Sequence, residues 1–199
     1  MNLYKERIEH VRIKMKKAGL DQLIVTDPLS IYYLTGIYVM PFERFWAFLI
    51  NVDTGEKLFA NILFALNDIG FDIDVHTDND NIANIVAPFL RAGICGVDKN
   101  MPARFLLPIV DSCDKVSMVL GSDCVDSVRA IKDEKEKQLM RCASEINDAC
   151  MEKIITYFHD GVTERECADY INKCYAEYGC EGVAFDPIIS FGANAADPH

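Results

Sequence analysis

Short apolar runs alternate with stretches of helical spacing over the first 120 residues, and this alternation limits the fold more than any other feature of the chain. Residues 3–18 place Leu3, Ile8, Val11, Met15 and Ala18 on one helical face, with Lys and Glu between them. Gly19 stands where a C-terminal cap belongs, and Lys14, Lys16 and Lys17 suit the negative end of the helix dipole. Gln22-Leu23-Ile24-Val25-Thr26 reads as a buried strand. Asp27 and Pro28 read as an N-cap and first-turn proline of a helix that runs to Thr35 and stops at Gly36. Aromatic and branched residues at 45–52 and 57–60 flank Asp53-Thr54-Gly55-Glu56, the pattern of a β-hairpin. Residues 71–76, 94–98 and 115–120 are further strands. Residues 81–90 and 102–110 are helices, the first with its end disturbed by Pro88. Strands alternating with helices, plus one hairpin, predict an α/β layer: a mixed sheet flanked by helices.

A different pattern follows. Leu139, Cys142, Ala143, Ile146, Ala149, Cys150 and Ile154 form one apolar stripe along a long helix that Asp160-Gly161 stops. Thr163-Glu164-Arg165-Glu166 is a capping box opening a second helix to about residue 178, ended by Gly179. Two antiparallel helices cannot bury their stripes alone. They need a sheet, and residues 183–189 read as its first strand, so the second domain is expected to be incomplete at residue 199. The domains are drawn at 1–126 and 127–199.

Composition removes several function classes. Thirty-one acidic residues against 20 basic give a net charge of -11, which disfavours phosphate backbones and hence nucleic acid. No basic amphipathic helix suggests a membrane surface, and no apolar run approaches the ~18 residues of a span. The first residues are charged and carry no apolar leader segment. The eight cysteines form no Cys-x-x-Cys pair and read as free thiols of a reducing cytoplasm. Gly93 and Gly96 lack the third glycine and the strand-turn-helix setting of a phosphate-binding loop.

The chain closes on Ser190-Phe191-Gly192-Ala193-Asn194-Ala195-Ala196-Asp197-Pro198-His199. Small residues let backbone and ligand approach closely, and an imidazole at the end of such a loop can exchange a proton near neutrality. Spacing alone favours a histidine on a frayed terminus. Asp186, before a proline, shapes the entry of the strand read at 183–189, and Asp197-Pro198 reads as a turn.

Phe185-Asp186-Pro187-Ile188-Ile189 with the loop to Pro198-His199 resembles a signature of the creatinase/aminopeptidase P/prolidase family, the "pita-bread" metallopeptidases. Asp27-Pro28-Leu29-Ser30-Ile31-Tyr32-Tyr33-Leu34-Thr35-Gly36 resembles the creatinase-like N-terminal domain, and residues 128–136 resemble the opening of the catalytic domain. The resemblance implies a creatinase-like domain followed by the first helices and strand of an α+β pita-bread domain. It implies hydrolysis of the bond preceding proline, in proline-containing peptides, by a homodimer. Two divalent metals (manganese, cobalt or zinc) activate water in the intact family. Their ligands there lie beyond the final loop, so no metal ligand is assigned and this chain alone is expected to be inert. By the same resemblance His199 is the catalytic, substrate-facing histidine, donating a hydrogen bond at the scissile amide. Phe185 lines the pocket for the residue before the bond, unless it packs in the core. Arg44, on the loop after Gly36, meets a substrate carboxylate through its fork, unless it is only an exposed arginine beside a buried tryptophan. His10, His76 and His159 match no family position and are expected at the surface or at helix ends. Two other readings share these residues: a metal-free creatinase-type C–N hydrolase, in which His199 is the general acid/base, and a non-enzymatic dimerisation or peptide-binding module.

Overall fold

A computed structural model describes residues 3–53, 55–66 and 69–196. It divides into two compact units, Met1–Ile131 and Lys132–His199.

The first unit is a six-stranded mixed sheet with helices on both faces. Its strands are β1 (Gln22–Val25), β2 (Trp46–Asn51), β3 (Glu56–Asn61), β4 (Ile73–His76), β5 (Gly93–Val97) and β6 (Val116–Leu120), in the spatial order β4-β3-β2-β1-β5-β6. The hairpin of β2 and β3 is antiparallel, with Phe48 opposite Leu58, and β2 also runs antiparallel to β1. The outer pairings, β3 with β4 and β1 with β5 and then β6, are parallel.

Period-two alternation assigns each strand's side chains to two cores. Leu23, Val25, Trp46, Phe48, Ile50, Leu58 and Ala60 face one side, where they meet Ile8, Val11 and Met15 of α1 (Leu3–Ala18) and Ile31 and Leu34 of α2 (Pro28–Thr35). Ile24, Ala47, Leu49, Phe59 and Cys95 face the other, against α3 (Ile82–Val86) and α4 (Ala103–Asp111). Central strands buried on both faces explain why β1 and β2 read as continuous apolar runs.

The predicted ends of α2 hold. Asp27 caps α2 by accepting from the Ser30 amide at 2.8 Å, and Gly36 ends it in the left-handed region with its N–H on the Tyr32 carbonyl at 2.8 Å. A Cβ at position 36 would run into the ring of Tyr4, so glycine is required there twice over. Pro88 cuts the predicted helix at 81–90 short: α3 stops at Val86 and a 3-10 turn, Ala87–Phe89, completes the segment.

Sequence reading gave no helix to α5 (Asp123–Arg129), seven residues without a side-chain cap. Its helicity comes from packing: Cys124, Val125 and Val128 are buried in the core shared with α1. Arg129 ties it down further, donating to Ser30 Oγ at 2.9 Å, with its guanidinium 3.6 Å from Asp27. The first unit therefore extends to Ile131.

In the second unit, α6 (Glu134–Tyr157) and α7 (Glu164–Glu177) each start with a complete capping box, Asp133 with Glu136 and Thr163 with Glu166. Cys150, Ile154 and Cys174 form the buried seam, with Ile146, Tyr170, Ile171 and Tyr175 partly covered beside it. Tyr157 stacks on Tyr170 at 4.0 Å, and Tyr175 donates to Asn147 at 2.6 Å. The seam uses only part of the predicted stripe, because Leu139 is 62% exposed. Residues 183–189, expected as a strand, join no ladder. An apolar run becomes a strand only where a second strand offers hydrogen bonds, and none does so among the described residues.

Candidate functional site

The closing loop is fastened to α7 by one carboxylate. Glu164, at the first helical position, accepts the Phe191 amide at 2.7 Å and the Asn194 side-chain amide at 3.1 Å. The ring of Phe191 meets Phe158 edge-on at 6.0 Å. Gly192 takes a left-handed φ of 54°, and the run Gly192–Ala196 then coils as a 3-10 turn. Glu164 lies in the first turn of α7, where the helix dipole favours an acidic side chain. Sequence reading saw in Glu164 only a residue of the capping turn. Its contact with residues 191 and 194 spans about 30 positions, and nothing local announces it.

Phe185 is 74% exposed, so its side chain faces outward and is not a core residue of the described unit. His199, the expected catalytic histidine, lies outside the described residues, as do Asp197 and Pro198.

Arg44 belongs to the first unit, on the segment between α2 and β2. Its fork grips Asp78, Nε on Oδ1 at 3.1 Å and Nη2 on Oδ2 at 3.2 Å, while Nη1 lies 2.8 Å from Glu43. The two-pronged geometry expected of this arginine is present, directed at carboxylates of its own unit. Asp78 in turn accepts from Asn61 at 2.7 Å, which fixes the turn after β4 against the end of β3. On the same segment Phe42 is 81% exposed with φ at 51°, in a region non-glycine residues rarely occupy. Pro28, Met40, Pro41, Trp46 and Phe105 join Phe42 around a shallow cavity of ≈ 200 Å³.

The histidines divide. His10 and His159 are exposed, as expected. His76 is not a surface residue: it is buried, and its ring lines a second cavity beside Arg44. The alternation of β4 explains the error. Val75 points to solvent and His76 inward, the reverse of what hydrophobicity suggests for the sequence Val-His. Burial pushes the imidazole pKa down, against the opposing pull of Asp80, Asp74 and Asp78.

Among the described residues no three of His, Cys, Asp or Glu gather so as to hold a metal ion. These residues do not fit a metal centre. All eight cysteines are free, with Cys95 pushed up to about 12 by burial. Among the described residues, no helix is long and apolar enough to cross a membrane.

Comparison with known proteins agrees over both units. The profile of the Creatinase/Prolidase N-terminal domain matches residues 7–131, and that of Metallopeptidase family M24 matches residues 138–199. An uncharacterized peptidase of Staphylococcus aureus (strain bovine RF122 / ET3-1) is 28% identical over 201 residues, which cover 97% of this chain and 56% of the relative. Among solved structures, a prolidase from Thermococcus sibiricus superposes with a TM-score of 0.87 at 27% identity, covering 100% of this chain and 56% of that one. The dipeptidase PepE from Mycobacterium ulcerans gives 0.86 at 26% identity, covering 99% and 55%. The chain thus spans about half the length of the curated relatives it matches.

Proposed function

Because this chain belongs to the creatinase/prolidase family, we propose that it forms the N-terminal domain and the opening of the catalytic domain of an Xaa-Pro dipeptidase of the prolidase type. The observation that carries this reading is the order of the two profile matches, one directly after the other along a single chain. The first unit resembles the layer that accompanies the catalytic domain in such peptidases. The second supplies the paired helices and the Glu164-anchored loop.

In this reading the complete protein cleaves the bond before proline in short peptides and assembles as a pita-bread homodimer. Two divalent metals would supply the activated water, held by residues outside those described. His199, ending the loop that Glu164 secures, donates a hydrogen bond at the scissile amide and stabilises the developing oxyanion. Phe185, already facing outward, covers the residue before the bond. In the homodimer Arg44 reaches toward the active site of the neighbouring subunit and meets the carboxylate of a short peptide there by exchanging Asp78 for it, a change that costs little because the pair faces solvent. The medium is a reducing cytoplasm, consistent with the free thiols.

The test joins residues 1–199 to the part of the Thermococcus prolidase that this chain does not cover. With manganese, the fusion is expected to hydrolyse Xaa-Pro dipeptides in preference to Xaa-Ala dipeptides. His199→Ala should lower kcat by on the order of a hundredfold or more, and Arg44→Ala should raise KM with kcat little changed. Residues 1–199 alone are expected to show no turnover. Hydrolysis of Xaa-Ala as fast as Xaa-Pro would overturn the assignment, as would turnover by residues 1–199 alone with manganese.

A further inference from the structure

Strands β1 and β5 lie side by side and parallel, and the chain leaves them in opposite directions. After β1 it passes through α2, on the face shared with α1, to reach β2. After β5 it passes through α4, on the other face, to reach β6. Such a reversal opens a crevice beyond the carboxyl ends of the strands, and open α/β sheets take up ligands there. In the first unit that place holds a cavity of ≈ 190 Å³, bounded by Asp27, Leu29, Lys99, Asn100, Asp126 and Arg129 among others.

One buried carboxylate fixes the rim. Asp98 Oδ2 accepts the Thr26 amide, the Thr26 hydroxyl at 2.9 Å and the Asp27 amide at 2.9 Å, and its Oδ1 accepts the Asn100 amide at 2.7 Å. The Lys99 amide donates to Ser122 Oγ at 2.7 Å, so the ends of β1, β5 and β6 are tied together before any ligand arrives.

The walls say what kind of ligand. Lys99 Nζ donates to Asp126 Oδ2 at 2.6 Å, and this pairing keeps the lysine protonated. Across from it, Arg129 donates through Nη1 to Ser30 Oγ and lies 3.6 Å from Asp27. Nε and Nη2 of Arg129 and Oδ1 of Asp126 have no hydrogen-bond partner among the described residues. Both side chains are open to a guest, Arg129 being 33% and Asp126 40% exposed. A simple anion placed here would meet Asp126 and Asp27, and a simple cation would meet Lys99 and Arg129. A molecule that carries both charges escapes either repulsion. Asp126 and Arg129 stand three positions apart on α5, hence about 5–6 Å apart on one helix face. That spacing suits an ammonium and a carboxylate borne by a single carbon.

We propose that this crevice binds a free α-amino acid with an apolar side chain. The carboxylate accepts from Nε and Nη2 of Arg129 and from Lys99 Nζ, and the ammonium donates to Asp126 Oδ1. The side chain lies on Leu29, an exposed leucine of the cavity wall. Each polar contact is charge-assisted, and the guanidinium edge matches a carboxylate in two-pronged fashion. The site uses none of His199, Phe185 and Arg44 and does not rest on the peptidase reading.

The experiment titrates isotope-labelled residues 1–199 with L-leucine, following the backbone amides by NMR. The expected result is a saturable shift at Lys99, Asn100, Asp126 and Arg129, while the amides of Arg12 and Glu56, an ion pair elsewhere in the first unit, stay in place. Leucinamide lacks the carboxylate and isocaproate lacks the ammonium, so each should bind at least about tenfold more weakly. Asp126→Asn should weaken leucine by a similar factor and leave isocaproate no weaker, because it removes a partner of the one and a repulsive charge from the other. Unmoved amides at Lys99 and Asp126 up to the solubility of leucine overturn the proposal. So does leucinamide or isocaproate binding as tightly as leucine, which would mean that a single exposed charge suffices. Both ligand comparisons use the native chain and decide the matter even if Asp126→Asn does not fold.

Discussion

His76 and Cys95 are both buried in the first unit, and their titrations have opposite consequences. For His76 burial lowers the folded pKa below the ordinary 6.5, so between those two values the unfolded chain holds the extra proton. Stability therefore rises with pH through that window and is lost as pH falls below 6.5. Urea midpoints measured from pH 7.5 downward should drop in the native chain, and part of that slope should vanish in His76→Gln. A slope unchanged by the substitution would show that His76 is not buried neutral. Cys95, pushed up to about 12, stays a thiol at every physiological pH and is shielded by the sheet. Iodoacetamide applied to the folded chain should modify the exposed Cys142 and spare Cys95 until denaturant is added, as peptide masses would report.

Elements in this chain were legible where their ends were written locally. The start and stop of α2 rest on Asp27, Pro28 and Gly36, and α7 rests on the Thr163–Glu166 box; each is a short-range bond that sequence spacing reveals. Removing that box by Thr163→Ala should cost about 1 kcal/mol and should also loosen the loop, because Glu164 holds Phe191 from the same first turn. Hydrogen exchange at the Phe191 amide reads the second effect separately from the first. What stayed hidden depends on distant partners. Helix α5 exists because α1 offers a face to Cys124, Val125 and Val128, and no cap marks it. The run at 183–189 has strand composition but pairs with no strand among the described residues. The carboxylate partner of Arg44 is 34 residues away, so its fork was foreseeable and its occupant was not. Close backbone approach is hidden in the same way. A Cβ on Gly96 of β5 would lie 2.9 Å from Leu23 Cδ1 and 3.1 Å from the Gly121 backbone. Gly96→Ala should thus destabilise the first unit by roughly 1–3 kcal/mol, seen as a lower urea midpoint with unchanged slope.

For the whole molecule, the two units differ in how completely they satisfy their own apolar surface. The first buries both faces of its central strands. The second leaves Leu139, Met140, Met151 and Ile155 of α6 exposed, a face larger than one seam against α7 can cover. If this chain is part of a longer peptidase of the proposed kind, that face is where the rest of the catalytic domain packs, and the same side chain then has two environments. Ile155→Lys in residues 1–199 replaces an exposed isoleucine on a charged helix and should change stability by no more than about 0.5 kcal/mol. In the fusion that completes the catalytic domain the same substitution places an ammonium in a packed interface. It should there cost several kcal/mol, on the order of a core truncation or more, and abolish peptidase activity while leaving the first unit's urea transition in place. Equal, small effects in both proteins would mean that α6 keeps this face in water and that the proposed catalytic domain is assembled in some other way.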